Sequence, residues 1–141
     1  MSEGSGEIRT HDEWGGVDAS FVDRILQALD GGEPKAVRAL TRDLHAADLA
    51  DVLEAMGQDD RVRLITALGR SFDPEALAEL DEAVRDELLE ALPNDVIASA
   101  VKKLDTDDAL YLIEDLESED QREILSKVPK EDRAALSRAL D

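Results

Sequence analysis

The chain has 141 residues, 35 of them acidic and 16 basic, for a formal net charge of -19. Such a charge repels a phosphate backbone or an anionic membrane surface, so nucleic acid and lipid are poor partners, whereas cations and basic protein surfaces are good ones. There is no cysteine and only 3% aromatic content, which excludes disulfides, thiolate metal sites and a Cys nucleophile and leaves a Leu/Ile/Val/Ala core that favours helices over sheets.

Residues 1–16 are rich in Gly, Ser and Glu without hydrophobic periodicity, and are expected to form a disordered tail. Trp14 either packs on the first helix or stands exposed. From Val17 the pattern becomes helical. Phe21, Val22, Ile25, Leu26 and Leu29 fall on one face of a helix, with Asp18 as N-cap and Asp30-Gly31-Gly32 as stop. Pro34 suits the first turn of a second helix, which is expected to run to about Arg42.

Beyond this point a repeat organises the chain. Leu44, Met56, Leu68, Leu80, Leu92, Leu104, Leu116, Val128 and Leu140 recur every 12 residues, and Leu53, Ile65, Leu77, Leu89, Val101, Ile113 and Leu125 form a second apolar phase. The segment Leu44–Met56 also echoes Leu104–Leu116 at an offset of 60 residues, or five such units. A unit of this length accommodates one helix of roughly 8–10 residues and a tight turn. The punctuation agrees. Asp73-Pro74 reads as a cap and first-turn proline, Asn94 after Pro93 as a cap, Ser118 to Gln121 as a capping box, and Pro129 as the start of the last helix. Counted from Val17 there are about ten short helices, none stable alone. The expected fold is therefore all-α, a superhelix or solenoid over residues 17–141.

Few residues can carry chemistry. His11 lies in the tail. His45, with Asp48 three residues on, reads as a helix-start residue, because the other ligands of a zinc site are missing. No Ser or Thr is paired with a general base, and Gly31-Gly32 is a helix stop rather than a phosphate loop, so the chain is not expected to be an enzyme. No apolar run reaches the ~20 residues of a membrane span, and the N-terminus lacks a secretory signal, so a soluble cytosolic domain is expected. The carboxylates remain. Residues 1–70 carry 14 acids and 8 bases, and residues 71–141 carry 21 and 8. Asp105 to Glu123 is densest, with nine acids and one base. Many of these acids are helix-start or solvated residues. The others suit weak binding of a hard divalent cation such as Mg²⁺, which prefers one or two carboxylates and retained water.

The order of motifs Leu44-His45-x-x-Asp48-Leu49-Ala50-x-x-Leu53, Asp60-Arg61, Leu88-Leu89-Glu90-Ala91-Leu92-Pro93, Leu104-x-x-Asp107-Asp108 and Asp120-Gln121-Arg122 resembles the cytosolic N-terminal domain of MgtE-type magnesium transporters, over about Phe21 to Leu140. The resemblance implies a helical superhelix that precedes a pair of CBS domains and a membrane domain in a homodimer on the cytoplasmic side of the inner membrane. It implies Mg²⁺ sensing, with ions held weakly between acidic surfaces of this domain and the CBS domains, closing the assembly and favouring a shut pore. The membrane would be reached only through a C-terminal segment beyond this chain. Carried over residue by residue, it points to Glu75 and Asp107 as Mg²⁺ ligands. The further acid of the family pattern falls at Tyr111, leaving Asp108 as its replacement. The alternatives are a helical-repeat interaction scaffold like the flagellar motor switch protein of the FliG type, which has similar leucine-rich short helices, and a free-standing acidic adaptor for a basic partner.

Overall fold

In the computed structural model the residues described are 17–140, and the expectations for the tail, Trp14 and His11 fall outside them. The described residues form ten α-helices: α1 (Ala19–Asp30), α2 (Pro34–Thr41), α3 (Ala46–Glu54), α4 (Gln58–Leu68), α5 (Glu75–Glu79), α6 (Glu82–Ala91), α7 (Asn94–Lys103), α8 (Thr106–Ile113), α9 (Ser118–Ser126) and α10 (Lys130–Leu140), with one 3₁₀ turn at Gly69–Ser71. The expected all-α fold is what is found. The chain divides into two compact units, Met1–Phe72 and Asp73–Asp141. Within each, helices follow one another in solenoid fashion. In the first unit α1 packs on α2 and α4, and α2 on α4; in the second α7 packs on α8 and α9, α10 on α8 and α9, and α5 on α8.

The 12-residue period is written into the helix starts. Helices begin at Pro34, Ala46, Gln58, Glu82, Asn94, Thr106, Ser118 and Lys130, all in one register. The register position between Gln58 and Glu82 is taken by the 3₁₀ turn, and α5 starts out of phase at Glu75. The second apolar phase is core: Leu53, Ile65, Leu77, Leu89, Val101, Ile113 and Leu125 are all buried. The first phase lies at helix ends, where Met56, Leu68, Leu80, Leu92 and Val128 are buried, and Leu44, Leu104, Leu116 and Leu140 are half-buried. A third phase, Val52, Leu64, Ala76, Leu88, Ala100, Leu112, Ile124 and Leu136, is buried throughout. Each turn thus places two adjacent apolar residues inward, and the first-phase residue closes the turn.

Local signals are met unevenly. The Asp18 side chain accepts the Ser20 N–H at 2.8 Å and caps α1 as expected. Gly32 and Gly69 take positive φ, 66° and 51°. At both positions a helix has just ended, and only glycine makes that turn without steric cost. His45 is the N-cap of α3, with the Asp48 carboxylate accepting its backbone N–H at 3.4 Å. Asp73 accepts the Glu75 N–H at 3.0 Å, but the N-cap position of α5 is Pro74, one residue later than expected. Two further readings need correction. Asn94 is the first residue of α7 rather than its cap, and its amide donates to Glu123 and Asp120 at 2.6 and 3.3 Å. Ser118 to Gln121 forms no capping box: Glu117 is the N-cap of α9, and the Gln121 amide donates instead to the carbonyls of Ile113 and Glu114, at 2.7 and 3.2 Å.

That Gln121 contact is one instance of a recurring tie. Arg61 donates from Nε to the Leu53 carbonyl at 2.8 Å, and Arg133 does the same to the Leu125 carbonyl at 3.0 Å. Each donor reaches back eight residues to a carbonyl in the last turn of the preceding helix, which also accepts the backbone N–H three residues on, at 3.1–3.3 Å. A long side chain thus joins consecutive helices, adding a donor to that carbonyl and lending its methylene stem to the packing. Arg38 adds a related contact, donating to the Ala67 carbonyl at 3.3 Å.

Two stability outcomes follow. Ile113→Ala, at a fully buried position, is expected to cost about 2–5 kcal/mol in urea unfolding, and Leu116→Ala, at a half-buried turn, at most about half of that. Arg61→Met, which keeps the stem and removes the donor, is expected to cost about 0.5–1.5 kcal/mol, because the Leu53 carbonyl loses one of its donors and keeps the Met56 N–H. The exposed Arg122→Met should change stability by no more than about 0.5 kcal/mol.

Candidate functional site

The residue types that could meet a cation concentrate in the second unit. Its α5 is only five residues long and follows Asp73-Pro74 directly. The Asp73 carboxylate turns back onto the Glu75 N–H, which leaves Glu75 as the exposed first residue of the helix. α5 packs on α8. α7 ends in Lys102 and Lys103, cations at the end where the helix dipole favours them. Leu104 and Asp105 then run extended, and Asp105 is the N-cap residue of α8, its side chain making no capping bond.

These pieces form one open cleft of about 260 Å³, lined by Asp73, Pro74, Glu75, Lys103, Leu104 and Asp105. Three carboxylates and one ammonium thus share one small concave space. The expected ligands divide around it. Glu75 lies in the cleft lining. Asp107 and Asp108 lie in the first turn of α8, the former exposed and the latter half-buried, next to the cleft in sequence but not in its lining. Among the described residues no three His, Asp or Glu side chains are grouped so as to hold a metal ion. Glu75, Asp107 and Asp108 are therefore not brought together as one ligand set. Asp73 and Asp105, which the sequence marks only as helix-start acids, stand closer to Glu75's role.

A second charged cluster surrounds Arg85 on α6. Its side chain is almost wholly buried. Nε and Nη2 donate to Asp86 at 3.2 and 2.9 Å, and Nη2 lies 3.7 Å from Glu82 and 3.9 Å from Asp115. The guanidinium carbon sits 4.0 Å from the centre of the Tyr111 ring. Burial works against the charged form, but the Asp86 hydrogen bond, Tyr111 and the carboxylates outweigh it and raise the Arg85 pKa. Tyr111, at the position where the resemblance would place an acid, thus covers a cation and is no metal ligand.

The remaining ion pairs are at the surface. Arg63 bridges Asp30 and Asp60 at 2.8 and 2.9 Å, and Lys127 meets Asp95 at 2.8 Å. Both cations have raised pKa values, each caused first by a side-chain hydrogen bond, to Asp30 and to Asp95 respectively. Such exposed pairs contribute little to stability. No helix among the described residues is long and apolar enough to cross a membrane.

No curated protein matches the chain. A family model does. The MgtE intracellular N domain matches residues 44–141, which takes in the in-register helices from Ala46 onward, the cleft and the Arg85 cluster. With more than two thirds of its length matched, the chain belongs to the MgtE intracellular N domain family.

Proposed function

We propose that this chain is the Mg²⁺-sensing regulatory domain of an MgtE-type magnesium transporter, on the cytoplasmic side of the membrane. The observation that carries the reading is the family match over residues 44–141. It favours this reading over a scaffold of the flagellar switch type. The distribution of charge supports it: residues 71–141 hold 21 acids against 8 bases, and three of those acids line one cleft.

The mechanism follows from electrostatics. In this reading the acidic face around Glu75, Asp105 and Asp107 meets an acidic face of the CBS domains of the same polypeptide, within a homodimer. At low Mg²⁺ the two faces repel and stay apart. At high Mg²⁺, ions enter between them, cancel the repulsion and take carboxylates from both sides together with water, as Mg²⁺ prefers. The ion stabilises the closed arrangement only to the extent that it binds it better than the open one. Moving such an equilibrium from 1:99 to 99:1 needs a preference of roughly 10⁴-fold, which several weak interfacial ions reach together. Closure favours the shut pore.

A domain holding half of each interface should bind Mg²⁺ weakly. Calorimetric titration of the 141-residue chain is expected to give no saturable micromolar binding; stoichiometric micromolar binding would point to a self-contained site and against this mechanism. In the polypeptide that carries the CBS domains, Glu75→Ala with Asp107→Ala should weaken Mg²⁺ protection against proteolysis between the domains. Undiminished protection removes those two residues from the interface.

A further inference from the structure

Arg85 occupies the same register as Arg61, Gln121 and Arg133, each of which ties its helix to the carbonyl eight residues back. Its guanidinium is used differently. Asp86, Glu82 and Asp115 lie 2.9, 3.7 and 3.9 Å from the single atom Nη2. Their side chains are 50–72% exposed, whereas that of Arg85 is 2% exposed. The cation lies beneath and the carboxylates form a rim above it. Nη1 is buried without a hydrogen-bond partner, and the π-face of Tyr111, 4.0 Å from the guanidinium carbon, compensates part of that loss.

Two of the carboxylates, Glu82 and Asp86, stand four residues apart on α6, a spacing at which like charges repel. The third, Asp115, comes from the turn after α8. Nothing but a cation makes this convergence favourable. We propose that Arg85, clamped by Tyr111, is a resident cation that holds Glu82, Asp86 and Asp115 together and joins α6 to the end of α8, so that this acidic cluster stays assembled without a bound metal. A guanidinium suits the task because it is permanently charged and presents several donors in one plane. The arrangement also reserves these three carboxylates, leaving the Glu75 cleft as the acidic site open to a mobile ion.

The test is thermal unfolding of the 141-residue chain in MgCl₂ and in NaCl at equal ionic strength. The wild type sets the reference difference between the two salts, which includes any weak Mg²⁺ binding at the Glu75 cleft. Arg85→Met should melt about 5 °C lower in NaCl, because three partly exposed carboxylates lose the cation between them, and Mg²⁺ should recover part of that loss by screening their repulsion better than Na⁺ does. An Arg85→Met protein that melts with the wild type, or one that gains no more from Mg²⁺ than the wild type does, overturns the proposal. Should Arg85→Met fail to fold in NaCl, the same substitution combined with Glu82→Gln, Asp86→Asn and Asp115→Asn decides. Folding of that neutralised variant supports the resident-cation role, and its failure to fold overturns it.

Discussion

A helix of five to twelve residues, the range found here, is not stable in water, because the cost of nucleating it is spread over too few hydrogen bonds. Each described helix therefore depends on the helices packed against it within its unit, as α2 does on α1 and α4, and α8 on α5, α7 and α10. Two adjacent inward residues per 12-residue unit supply the apolar contact, and at Arg61, Gln121 and Arg133 a long side chain reaching back eight residues adds a donor at the previous helix's end. The first is strong and non-directional. The second is weaker but fixes where one helix sits on the last, since a hydrogen bond is sensitive to distance and angle. Together they explain why helix starts keep register from Ala46 to Lys130 while the sequence between them varies.

That dependence also sorts the acidic residues. An exposed helix start accepts an acid at no cost, so Asp18, Asp48, Asp73 and Asp81 serve as caps or first-turn acceptors. Asp30, Asp60 and Asp95 are drawn into surface pairs. Glu82, Asp86 and Asp115 gather over Arg85. What remains unneutralised is the repulsive excess on which any response to divalent cations must draw. A cation-dependent interface needs carboxylates beyond those that cap helices, and the Glu75 cleft holds Glu75 and Asp105 besides the capping Asp73, against one lysine.

The period, the helix count and most helix ends were legible in the sequence because each rests on residues with few alternative uses: Leu at every twelfth position, Gly where φ turns positive, Pro before a first turn. The tie register was not legible. Its members include Leu49, Arg61, Arg85, Ile97, Ala109, Gln121 and Arg133, a mixture that hydropathy averages away, and nothing local tells Gln121 to cap Ile113 rather than its own helix. Its one signal was the recurrence of Arg or Gln behind an acid in Asp60-Arg61, Asp120-Gln121 and Asp132-Arg133. Asn94 misled for a related reason: a residue type suited to a cap found carboxylates on α9 instead. For the site, sequence placed Glu75 correctly at a helix start, but that Asp73, Lys103 and Asp105 share its cleft depends on α5 packing on α8, a contact across roughly thirty residues that no local pattern encodes.

The cleft lies where the repeat loses its register, and the two facts are connected. In several in-register units the polar residues of the short turn are taken up, Asp48 and Asp81 at helix starts and Arg61, Gln121 and Arg133 in ties to the preceding helix. Between Leu68 and Glu82 the register position is a 3₁₀ turn, and α5 begins five residues late and ends after little more than one turn. A helix this short has no second turn from which a long side chain could reach back; its register position is Asp73, which caps instead. Side chains at such a break are released from the packing rule that governs their neighbours. Places where a regular sequence departs from its own rule are where function is most readily housed. Glu75 stands at this break, an exposed helix-start acid that shares its cleft with Asp105.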